Sequence, residues 1–80
     1  MSMSRNQEEP LHNRVEEARS NLGITRQNLA DKVGVHYQTI GYIERGEYNP
    51  SLSLALKLAK ALKVEVSQIF STQPFRKESR

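Results

Sequence analysis

An all-α domain of five short helices is the fold this sequence predicts, and three observations predict it. Apolar residues recur at three- and four-residue intervals in successive segments, Gly23, Gly34 and Gly46 stand where those segments would stop, and no segment keeps up the strict alternation of a sheet. With 80 residues, no cysteine and no tryptophan, the chain forms one domain at most and has no disulfides. A core this small seldom supplies more than about 3 to 5 kcal/mol, so regular helix packing or a second subunit must add to it. His12 and His36 stand far apart without paired Cys or His spacing, so no metal and no cofactor is expected.

Leu11, Val15, Ala18 and Leu22 lay one stripe along a first helix over 11–22, with Pro10 suited to its first turn and Gly23 to its stop. Thr25 is a good N-cap for a second helix over 26–33, which buries Leu29, Ala30 and Val33 and ends at Gly34. Tyr37, Ile40 and Ile43 define a third helix running to about 45. Pro50 closes the loop that follows, and Ser51 caps a fourth helix with Leu54, Ala55, Leu58, Ala59 and Leu62 on one side. Lys57, Lys60 and Lys63 lie opposite, as a solvated face or a stripe for a polyanionic partner. Ser67 caps one last turn at 68–70, and 71–75, which contains Pro74, is long enough only for a short strand. The domain organisation is therefore a disordered N-terminal tail at 1–9, a helical domain at 10–70, and an extension at 71–80 that offers a dimer contact and then a mobile tail.

No apolar run reaches the 18 or more residues that span a bilayer, and the N-terminus lacks a hydrophobic stretch for a signal peptide. A cytoplasmic protein is expected. Twelve Lys and Arg against nine Asp and Glu give a net charge of +3, a mild lean towards polyanionic partners. That charge is not on helices 2 and 3. Between 24 and 50, Arg26, Lys32 and Arg45 are balanced by Asp31, Glu44 and Glu47.

Helices 2 and 3, joined by a few residues ending the first of them at Gly34, have the spacing of a helix-turn-helix, a spacing that any pair of packed core helices also shows. The outer face of helix 3 is more telling. Ile40 and Ile43 point inward, whereas Gln38, Thr39, Tyr42 and Arg45 share the outer side with Tyr37. A merely solvated face would carry Lys and Glu. Amides, hydroxyls and aromatic rings can instead pair with base edges or meet a thymine methyl, and Arg45 can reach a phosphate. Gly41 costs a helix interior about 1 kcal/mol relative to alanine, which fits either close approach of another surface or relief of crowding between helices.

Taken together, the stretches at 13–19, 23–35, 38–40, 43–46 and 48–52 resemble the Cro/cI-like helix-turn-helix regulators, the XRE family. The likeness rests on NRVEEAR, GITRQNLADKVGV, QTI, IERG and YNPSL and covers about 11–70. It implies a lambda-repressor-like five-helix domain that places helix 3 in the DNA major groove while helix 2 crosses the backbone. On this resemblance Tyr37, Gln38, Thr39 and Tyr42 read bases, Arg26, Gln27, Arg45 and Asn49 meet phosphates, and Arg19 and Glu44 form a structural salt bridge between helices 1 and 3. Arg26 departs from the Gln usual in the family, which adds charge at a phosphate position. His36 and Tyr37 depart from a Ser or Thr followed by Arg or Gln; His36 is a poorer cap, either simply exposed or a DNA contact.

The function implied is a sequence-specific DNA-binding transcriptional regulator, most simply a repressor occupying a promoter. Ile69, Phe70 and Phe75 offer apolar surface for a homodimer, although Phe70 and Phe75 could instead seal the monomer's own core; residues 71–75 could add a strand pairing, as in some short family members. A two-fold dimer would read a palindrome with half-sites about 34 Å apart. No small-molecule ligand and no membrane partner is expected. The competing reading is an antitoxin-like or adaptor protein whose helix-turn-helix binds another protein. No arrangement of nucleophile, base and orienting acid points to an enzyme.

Overall fold

Helix boundaries in this chain are set by side-chain caps and by residues in the left-handed region. The computed structural model describes residues 10–75, and the two expected tails at 1–9 and 76–80 lie outside them. In chain order the elements are β1 (His12–Asn13), α1 (Val15–Leu22), α2 (Arg26–Val33), α3 (Tyr37–Glu44), α4 (Leu52–Leu62), α5 (Val66–Ile69) and β2 (Phe70–Ser71). Before α2, Thr25 Oγ1 accepts from the Asn28 N–H at 3.0 Å while Asn28 Oδ1 accepts from the Thr25 N–H at 3.2 Å, a reciprocal cap that fixes the first turn. Ser51 Oγ does the same work for α4, accepting from the Leu54 N–H at 3.1 Å. Gly34 ends α2 with φ 79°, turning the chain sharply enough for α3 to follow almost at once. Lys63 ends α4 in the same conformation, φ 63°, without glycine's freedom.

One apolar stripe from each helix faces a common centre. Val15, Leu29, Ala30, Ile40, Ile43, Leu58, Leu62 and Ile69 are buried there, with Ala18, Ile24, Leu54, Val66 and Phe70 packed around them. This is the five-helix architecture that the apolar periodicity predicts.

Several details differ from the sequence expectation. The first helix starts at Val15, not at 11, because His12 and Asn13 pair antiparallel with Ser71 and Phe70. The Arg14 N–H, bonded to the Ile69 carbonyl at 2.9 Å, prolongs that ladder, and Asn13 Oδ1 accepts from the Val15 N–H at 3.0 Å to start the helix. Pro10 therefore precedes a strand and is not in a helical turn. The last helix starts at Val66 rather than after Ser67, since Gln68 Oε1 reaches back to the Glu65 N–H at 2.7 Å. Phe70 leaves that helix to enter β2, whose partner strand belongs to this same chain. Ile69, expected at a subunit contact, is 1% exposed in the monomer core, where it has no surface to offer a second copy.

Candidate nucleic-acid interface

Exposed on α3 are Tyr37, Gln38, Tyr42 and, at its C-terminal end, Arg45. Ile40 and Ile43 face the opposite way, fully buried, which holds that outer stripe at the surface. Thr39 is half-buried and shows less of itself than its neighbours. His36 caps the helix: its Nδ1 accepts from the Gln38 N–H at 3.2 Å, and its ring stacks on Tyr37 at 5.0 Å. The acceptor role at Nδ1 is that of an imidazole protonated on Nε2.

Beneath the C-terminal end of α3 lies a carboxylate with two cations. Glu44, its side chain 1% exposed, accepts from Arg19 Nε at 2.6 Å and Nη2 at 3.3 Å, and from Arg26 Nε at 2.9 Å. Arg19 Nη1 also donates to the Ile24 carbonyl at 3.0 Å, so its fork is used on both sides. The hydrogen bond to Glu44 holds the Arg19 guanidinium above its ordinary range, against the opposing effect of burial. Three helices thereby meet at one side chain, with Arg19 from α1, Arg26 from α2 and Glu44 from α3. Two guanidiniums share one carboxylate, so one positive charge remains at the surface of this cluster. Arg26 is the more exposed donor, at 39%.

The remaining phosphate candidates are arranged less tightly. Arg45 pairs with exposed Glu47 at 3.2 Å and lies over the Tyr42 ring at 5.3 Å. Gln27 donates from Nε2 to Asp31 Oδ1 at 3.0 Å, one turn along α2, and Asn49 is exposed in the loop after α3. At the other end of the molecule Phe75 is half-buried with Arg14 over its ring at 4.5 Å, and Phe70 is half-buried against the core.

A helix-turn-helix family model matches residues 15–69, which takes in α1 to α5. The chain belongs to the XRE-type helix-turn-helix family. Members are DNA-binding transcription regulators and not enzymes. This helix-turn-helix regulator is 42% identical over 60 residues to an uncharacterized HTH-type transcriptional regulator of Archaeoglobus fulgidus, across 75% of its own length and 86% of that protein. It is also 35% identical over 65 residues to the immunity repressor protein of Bacillus phage phi105, covering 81% of this chain and 45% of the repressor. Among solved structures, the restriction-modification controller protein C.AhdI from Aeromonas hydrophila superposes with a TM-score of 0.65 at 37% identity, over 68% of this chain and 82% of that one. No helix of the regulator among the described residues is long and apolar enough to cross a membrane.

Two parts of the regulator's interface escape a reading of the sequence. The bond from Arg26 to Glu44 joins residues on different helices, with no periodicity to announce it; the arginine in place of the family's usual Gln was the available signal. Asn13, whose Nδ2 donates to the Ile43 carbonyl at 3.0 Å, ties β1 to the end of α3, and only its place in the family-like run of 13–19 hinted at a role.

Proposed function

We propose that this regulator represses transcription by binding a palindromic operator as a homodimer, with α3 of each subunit in the major groove. The observation that carries the proposal is the exposed stripe of Tyr37, Gln38 and Tyr42, amide and aromatic in character, bordered by Arg26 and Arg45. Gln38 has the bidentate geometry suited to adenine, the tyrosines can meet methyl groups or donate at base edges, and Thr39 contributes the little surface it shows. Arg26, Gln27, Arg45 and Asn49 bind phosphates and set the register.

Two copies are required because the stripe is short and the two reading helices carry little net charge, so a single domain gains little non-specific affinity. Apolar surface for the subunit contact is found at Leu52 and Leu56, one turn apart on α4 and 72% and 49% exposed, with the exposed parts of Phe70 and Phe75 as the C-terminal contribution. The two-fold axis then sets the α3 helices about 34 Å apart, one turn of B-DNA. Repression follows from occupancy, since a bound dimer excludes other proteins from the same duplex. Such a role belongs in the cytoplasm, on the nucleoid.

Selection from random duplexes at several salt concentrations tests this reading. A palindromic motif bound by two chains is the expected outcome, with Gln38→Ala costing about 1 to 3 kcal/mol and relaxing preference at one position per half-site. Sequence-blind binding, or one chain per selected site, overturns it.

A further inference from the structure

Gly41 has no conformational reason to be glycine. The other three glycines have positive φ, whereas Gly41 sits in the middle of α3 with helical backbone, where glycine is the poorest helix former after proline. Its neighbours supply a reason. A Cβ built there would lie 3.2 Å from Nη1 of Arg45 and 3.5 and 3.6 Å from Nη1 and Cζ of Arg26. What fills the space is therefore not the backbone of a neighbouring helix but the ends of two arginine side chains, one from α2 and one from the end of α3.

Two like charges brought onto one residue offer an anion a site with donors on two sides. The carboxylates nearby do not fill that place. Glu44 engages only Nε of Arg26 and divides itself between Arg26 and Arg19; Glu47 engages Nε of Arg45 in a pair exposed on both sides, the kind worth little in water. Hydrogen bonds among the described residues use no terminal nitrogen of Arg26 or Arg45. The two forks thus converge over Gly41, beside Tyr42 and on the same stripe as Gln38, with their best donors for an oxyanion unspent.

We infer that Arg26 and Arg45 form a single clamp for one backbone phosphate of duplex DNA, and that Gly41 is the positioning residue that leaves the Arg45 guanidinium room to lie beside that of Arg26. The inference rests on the DNA-binding reading above and adds to it a named phosphate site spanning both helices of the motif. Glu44 belongs to the same device: buried and bonded to Arg26 Nε, it fixes the plane of that guanidinium while leaving the cluster's surplus positive charge outside.

The decisive variant is Gly41→Ala. Alanine favours the helix, and the atoms it meets are the movable ends of flexible side chains, so the variant folds and melts higher, by about 4 to 8 °C. Its Cβ, 3.2 Å from Nη1 of Arg45, displaces that fork by a few tenths of an ångström and leaves Arg26 at ordinary contact distance. At a fixed salt concentration its affinity for duplex DNA falls about tenfold. The slope of log affinity against log salt stays as in the wild type, because both charges remain. The double variant Arg26→Gln/Arg45→Gln, in which Arg19 still neutralises Glu44, loses that single phosphate and about 0.9 of the slope, and adding Gly41→Ala to it changes neither affinity nor slope further.

Unchanged binding by Gly41→Ala overturns the clamp, and so does a slope loss near 1.8 in the double variant, which would mean two separate phosphates. A binding loss that persists when Gly41→Ala is added to the double variant overturns it as well. Wild-type binding with no palindrome preference but with the predicted slopes and cycle removes the operator reading and keeps the clamp. Failure of the wild type to bind any duplex removes both.

Discussion

Helix α4 is held by Ala55, Leu58, Ala59 and Leu62, a broad apolar face whose attraction to the core has no preferred direction. Helix α3 is shorter and has Ile40 and Ile43 for the same purpose, but it also carries Glu44, bonded to α1 and α2, and receives the Asn13 amide at the Ile43 carbonyl. Burial by itself tolerates a few degrees of rotation about a helix axis at small cost. Hydrogen bonds of 2.6 to 3.0 Å to two other helices and a strand do not. The helix whose outer residues must meet fixed positions is thus the one locked by directional contacts, whereas the supporting helix is secured by volume alone.

The largest effect that tests this contrast is expected from Glu44→Ala. Removing the buried carboxylate leaves Arg19 and Arg26 without their counter-charge, and stability falls by about 3 to 5 kcal/mol, enough to unfold much of the domain in a thermal melt. Equal melting temperature with altered DNA preference would break the comparison. Leu58→Ala in α4 should cost about 2 to 5 kcal/mol through lost burial and the remaining cavity. Its folded fraction should keep the wild-type salt dependence and sequence preference, because no directional contact to α3 is lost; a changed preference would show that α4 helps to orient the reading helix. The smallest effect is a gain. Lys63 occupies the left-handed region at φ 63°, so Lys63→Gly relieves backbone strain and raises stability by about 1 kcal/mol, with the salt slope for DNA unaltered.

Helix α2 and most of α4 were legible in the sequence because their signals are local. Thr25 and Asn28 sit three residues apart, as do Ser51 and Leu54, and an apolar stripe runs between cap and stop. The start of α1 was misread for the opposite reason. Leu11 continues the apolar spacing of Val15 and Ala18, but residues 12–13 pair with a strand near the far end of the described chain, which no local window contains. A similar distance hid the fate of Ile69: apolar excess near a chain end suggests a partner until the core that absorbs it is seen. At the interface, which residues of α3 face outward followed from periodicity. That Arg26 and Arg45 meet over Gly41 did not, since the meeting depends on how α2 crosses α3.

The ladder between His12–Asn13 and Phe70–Ser71 sets an order in time. The packing of α2 on α3 joins elements that follow one another closely, whereas this ladder closes nearly the whole described chain into a loop, an entropic cost met only after the helices have gathered. Helix α5, four residues long, is too short to persist before then. The expected sequence is that α2 and α3 assemble early, and the ends of the domain meet last and separate first. Asn13, which belongs to the late ladder and bonds to the end of α3, makes the seating of the reading helix the final step of folding.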